Sequence, residues 1–97
     1  MNEIKTLLNE VLENNDLNVK ATGKVFTVEK EYEDRSGVQP NEDYIRLYNQ
    51  SEVIAIYDVS EQDVDVLNWD HKEDIKVFVT ALEENEFAVY VDEKLLV

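Results

Sequence analysis

The chain has no cysteine, one proline, one histidine and only two glycines in 97 residues. Without cysteine there is no disulfide framework, no thiolate metal site and no thiol nucleophile. A single histidine, His71, rules out a multi-histidine metal site and leaves little for acid–base chemistry near neutral pH. Gly23 and Gly37 stand far apart, so no glycine-rich loop is available to cradle phosphate. No apolar run approaches the ~18 residues of a membrane span. Met1 leads into an amphipathic pattern rather than a signal peptide, and the expected address is the cytoplasm. Basic residues are scarce too: 9 Lys and Arg stand against 23 Asp and Glu, a formal net charge of −14.

What is present is enough for one small core. Hydrophobic residues make up 43% of the chain, with one Trp, five Tyr and three Phe. That content argues against disorder despite the charge, and the length suits a single acidic domain over residues 1–97. The charge is skewed along the chain. Net charge is −1 over residues 1–30, −5 over 31–60 and −8 over 61–97. Such a field repels nucleic acid and anionic membrane, so direct binding of either is not expected. It favours a basic partner surface.

Periodicity predicts an α+β fold. Ile4, Leu7, Leu8, Val11 and Leu12 form one apolar stripe of an N-terminal helix, capped by Asn2 and ended at Asn14-Asn15, which tolerate left-handed backbone. Alternation over 17–22 and 24–32 reads as a hairpin turning at Thr22-Gly23, and 44–48 with 53–59 reads as a second hairpin. Between them, 34–41 is the longest loop and the segment expected to be most mobile. Val53 to Val59 is apolar on both faces, as in a doubly covered strand or one covered by a partner. Residues 60–74 are dense in acid. Residues 75–82 mix strand formers with helical spacing at Ile75, Phe78, Val79 and Leu82; the spacing, with Asp70-x-x-Glu73 as a capping box, favours a second helix over 71–84. Phe87, Val89 and Val91 then predict a final strand. The expected architecture is an N-terminal helix, an antiparallel sheet of three to five strands and a second helix. Leu8, Val11, Phe26, Val28, Ile45, Leu47, Ile54, Ile56, Val89 and Val91 form its core.

Catalytic chemistry is poorly supplied, and no catalytic residue, cofactor or metal is assigned. Ser36, Ser51 and Ser60 sit in turn-like settings where hydroxyls cap backbone. Asp63-Val64-Asp65 begins like a calcium loop. Leu67 at the fifth position, Asn68 at the sixth and Asp74 at the twelfth then break the pattern.

Two groups of residues suit binding instead. The first is the acidic band with Asp63, Asp65, Asp70, Glu73 and Asp74, whose carboxylates can stand where a basic protein expects phosphates, with Trp69 as an anchor. The second is Tyr44, Arg46 and Tyr48, residue types enriched at binding hot spots. In composition the chain resembles the small acidic inhibitors of phages and mobile elements, which block nucleases or glycosylases by imitating nucleic acid. That likeness carries no residue roles. The function expected is thus non-enzymatic: an acidic inhibitor occupying a basic, nucleic-acid-binding site on a partner protein. The alternative is a structural or assembly protein, a homo-oligomer joined through Val53–Val59.

Overall fold

The computed structural model describes residues 2–33 and 42–96. The loop expected over 34–41 lies outside the described residues. The first helix, α1, spans Glu3–Glu13 and buries Ile4, Leu7, Leu8 and Val11. Asn2 caps it, its Oδ1 accepting from the Ile4 N–H at 2.8 Å. The helix ends differently from expectation. Asn14 is extended, at φ −85°, and its side chain accepts from the Asp16 N–H in a local turn that replaces a left-handed cap.

Five strands follow in chain order: β1 (Val19–Thr22), β2 (Phe26–Glu33), β3 (Glu42–Asn49), β4 (Glu52–Asp58) and β5 (Asp63–Val66). They form one antiparallel meander in which each strand pairs with the next. A 3₁₀ turn (Trp69–His71) leads into the second long helix, α2 (Lys72–Glu84), and the short α3 (Glu93–Leu96) ends the described chain. Residues 75–82 are therefore helical, with Ile75, Phe78, Val79, Ala81 and Leu82 buried at helical spacing. The Asp70-x-x-Glu73 box is not what caps this region. Asn68 does so one turn earlier, accepting from the Asp70 N–H at 3.0 Å.

The connection between β1 and β2 depends on α1. The Glu3 carboxylate accepts from the backbone N–H groups of Val25 and Phe26 at 2.9 and 3.0 Å. It lies so close over Gly23 that a Cβ there would collide with it. Glycine at this point lets the Glu3 side chain occupy the space a Cβ would take; a larger residue would have to push that carboxylate aside.

Three further expectations change on contact with the structure. Asp63–Val66 is a strand hidden inside the acidic band, because Asp-Val-Asp-Val alternates with period two even though Asp disfavours strands. Phe87–Val91 is not a strand of the sheet. Only Tyr90 bridges to it, in parallel with Asp63, through Val64 N–H to Tyr90 O at 3.1 Å and Tyr90 N–H to Gln62 O at 2.7 Å. The rest of the segment is spent on packing: the Tyr57 hydroxyl donates to Ala88 O at 2.6 Å, and Phe87 meets the Tyr57 ring edge-on at 5.6 Å. Val89 and Val91 are half-buried as a result.

The third change concerns β4. The register shifts at Leu47/Tyr48, where Leu47 pairs with Ala55 but Tyr48 with Val53, so Ile54 is an extra residue. This bulge lets both Ile54 and Ala55 be fully buried, at 0% exposure. Ile56 then falls on the opposite side and is only half-buried, as is Phe26 at the start of β2. The remaining expected core residues, Leu8, Val11, Val28, Ile45, Leu47 and Ile54, are buried together with Tyr57, Val64, Phe78 and Leu95.

Candidate partner-binding face

Both long helices contribute to the core that buries Val28, Ile45, Leu47, Tyr57 and Val64. Successive strand residues point to opposite sides. The alternate residues therefore form a second sheet face that no helix covers among the described residues. Strand register orders this face into two rows. One runs Lys20, Glu29, Arg46, Ile56, Asp65 from β1 to β5. The next runs Glu31, Tyr44, Asp58, Asp63 across β2 to β5, and the Asp63–Tyr90 bridge extends it by one residue. Tyr48 stands in a third row between Thr27 and Val53.

The two halves of the face differ electrostatically. Towards β1 the charges are paired. The Arg46 guanidinium lies 3.5 Å from Glu29 and 3.3 Å from Glu31, and sits over the Tyr44 ring at 5.4 Å. The Lys20 ammonium lies over the Tyr48 ring at 5.8 Å, and the Tyr48 hydroxyl donates to Glu29 at 2.8 Å. Burial, and then the Glu29 hydrogen bond, raise the Tyr48 phenol above its ordinary pKa. Tyr44, Arg46 and Tyr48 thus line one side of β3, where Arg46 and Tyr48 already bond to the glutamates of β2 and the Tyr44 ring carries the guanidinium.

Towards β5 the charges repel. Asp58 and Asp63 are directly opposed, with Asp65 in the neighbouring row. No lysine or arginine among the described residues pairs with any of the three. Desolvation, then the charges of Asp65 and Asp58, push the Asp63 carboxyl above its ordinary value. Asp58 also has a local role. One of its oxygens accepts from the Ser60 N–H, the Ser60 hydroxyl and the Glu61 N–H, which shapes the β4–β5 turn.

The acidic band read from the sequence is divided by the fold. Asp63 and Asp65 share the helix-free face with Tyr44, Arg46 and Tyr48. Trp69, Asp70, Glu73 and Asp74 belong instead to the 3₁₀ turn and the first turn of α2. There Glu73 reaches Lys76, and Asp74 reaches His71, each at 3.5 Å. Acids at that position suit the positive end of the helix dipole. Trp69 is 41% exposed and, in the 3₁₀ turn, belongs to neither row of strand residues.

Tyr90 is not among the binding residues that periodicity singles out; it is 67% exposed and joins the face only through its bridge to Asp63. No local signal announces a contact between residues so far apart in the chain. Alternation puts Glu29 and Glu31 on the side opposite the core residue Val28, as the structure has them, whereas it puts Ile56 in the core with Ile54 and the bulge moves it to the open face.

Clefts among the described residues are small and open. One of about 190 Å³ lies between Leu12, Leu17, Lys30, Ile45 and Phe87, and two of about 300 Å³, beside Lys5 and Glu84 and beside Lys20 and Tyr48, reach only the lower end of the usual ligand-site range of ~300–1,000 Å³. Among the described residues no group of three His, Asp or Glu side chains is placed to hold a metal ion, and no helix is long and apolar enough to cross a membrane. Protein-family models, curated proteins and solved structures give no match to this chain.

Proposed function

We propose that the protein is a non-enzymatic acidic binding protein that inhibits by occupying a basic, nucleic-acid-binding site of a partner protein, and that it docks through the helix-free face of its sheet. The observation that carries this reading is the opposed pair Asp58 and Asp63 with Asp65 beside it. Like charges directly across a strand pair destabilise the sheet. A basic partner relieves that repulsion on binding, so the arrangement costs stability in the free protein and contributes affinity in the complex. The net charge of −14 adds a long-range field that speeds encounter with a positive surface. The mechanism is competition. The setting it suits is a phage or mobile element countering a host nucleic-acid enzyme in the bacterial cytoplasm.

The alternative, assembly of copies through β4, is less well supported. The bulge turns Ile54 inward and leaves Val53 and Ile56 as the half-buried apolar residues of that strand on the open side. The edge strands carry Lys20 at one side and Asp63 and Asp65 at the other, charges of the kind that discourage edge-to-edge pairing.

Capture from a host lysate at low salt, followed by challenge with duplex DNA or RNA, tests the competitive mechanism. Displacement of the captured protein by nucleic acid is expected, with affinity falling steeply as salt rises. Simultaneous binding of protein and nucleic acid at separate sites would contradict it.

A further inference from the structure

The face already shows how it holds a guanidinium. Arg46 lies between the carboxylates of Glu29 and Glu31 and over the ring of Tyr44. The same residue types recur at the β5 end. Asp58 and Asp63 oppose one another, Asp65 is one row away beside Ile56, and Tyr90 ends the Asp63 row. Paired residues in a bridge belong to the same side of a sheet, which assigns Tyr90 to the side that carries Asp63. Tyr90 is 67% exposed, although its backbone is fixed by two hydrogen bonds to β5 and its flanks. An aromatic side chain left open at the end of a row of carboxylates is a poor arrangement for the free protein and a good one for stacking a planar cation.

We infer that the β5 end of the face is an arginine-selective docking site, in which a partner's guanidinium lies against Tyr90 and is held by Asp63 and Asp65 as Arg46 is held by Tyr44, Glu29 and Glu31. The inference rests on the docking face proposed above and adds the chemistry of its partner. Charge complementarity sets the sign of the partner, and the ring sets the preference for arginine over lysine. Lysine carries the same charge, but its ammonium is more strongly hydrated and lacks the planar fork. Ile56, half-buried in the neighbouring row, gives the aliphatic stem of the incoming side chain an apolar surface.

The test uses the whole chain titrated with nona-arginine and nona-lysine peptides at low ionic strength. Wild type is expected to bind nona-arginine at least about fivefold more tightly than nona-lysine. Tyr90→Leu should weaken nona-arginine binding about two- to fivefold, the range for an exposed cation–π contact, and should largely erase the preference. Tyr90→Phe should keep it. Because the Tyr90 side chain is exposed and its backbone bonds remain, both variants should melt as wild type does. Asp63→Asn with Asp65→Asn should weaken both peptides. Equal binding of the two peptides, together with loss on neutralising Asp63 and Asp65, would overturn arginine selectivity while leaving the docking face standing. Binding of both peptides unchanged by that neutralisation would overturn the docking face, and the inference with it.

Discussion

Glu3 and Asp63 are both carboxylates on the surface of one small protein, yet their surroundings push them in opposite directions. The backbone N–H groups of Phe26 and Val25 hold Glu3 below its ordinary pKa. Its folded-state value is therefore lower than its unfolded one, and its contribution to stability is present above the ordinary glutamate range of about 4.3 and lost as pH falls through the depressed value. Asp63 is the reverse case. Desolvation, then Asp65 and Asp58, raise its folded-state value, so its ionised form is a burden at neutral pH that is relieved as pH falls through that raised value. Stability is expected to rise as pH falls from 7 towards the range where Asp63 protonates, and to decline below the ordinary carboxylate range as Glu3 loses its charge. Melting temperatures across pH 7 to 3 for wild type, Asp63→Asn and Glu3→Ala check this. Asp63→Asn should melt above wild type at pH 7, its stability higher by roughly 0.2–1 kcal/mol, the scale of a cross-strand pair. Glu3→Ala should melt below it, with the gap closing in acid. Gly23→Ala should displace the Glu3 carboxylate, so Glu3→Ala and Gly23→Ala together should cost less than the sum of the two alone.

The elements were legible where one period dominated. The α1 stripe and the alternation of β1 to β4 depend on local spacing, and the structure places helices and strands there. The spacing of Ile75, Phe78, Val79 and Leu82 similarly outweighed the strand-forming Val77, Phe78 and Val79. Legibility failed where long-range contacts decide. The bulge at Ile54 arises where the pairing of Leu47 and Tyr48 skips a residue, and it separates the two isoleucines expected in the core, keeping Ile54 there and turning Ile56 to the open side. Ile54→Ala is therefore expected to cost about 2–5 kcal/mol in denaturant unfolding, and Ile56→Ala clearly less; the opposite order would remove the bulge from the account. Phe78, at 0% exposure, joins α2 to the core, and Phe78→Ala should cost about 3–5 kcal/mol. The Asp-rich strand β5 was obscured by composition, and the C-terminal segment by its Val-rich alternation. Of the candidate site, the residues of the face could be named from the sequence but not assembled. Asp63 and Asp65 were grouped with Trp69, Asp70, Glu73 and Asp74 by nearness in the chain, whereas pairing groups them with Tyr44 and Arg46.

At the scale of the whole molecule, charge is arranged as well as abundant. The sheet runs from a paired end, with Lys20, Glu29, Arg46 and Glu31, to a repelling end, with Asp58, Asp63 and Asp65. Added salt at pH 7 should raise the melting temperature by screening the repelling end and the overall excess of acid. The same salt should weaken association with a basic partner. Neither effect alone separates a docking face from a diffuse negative field. Two double variants of equal charge do so: Asp63→Asn with Asp65→Asn on the face, and Asp70→Asn with Glu73→Gln at the start of α2. The decisive measurement is the affinity of each for nona-arginine at low ionic strength, beside wild type. A large loss for the face variant with near wild-type binding by the helix variant is the predicted result. Equal losses in the two would show that net charge, not the helix-free face, does the binding.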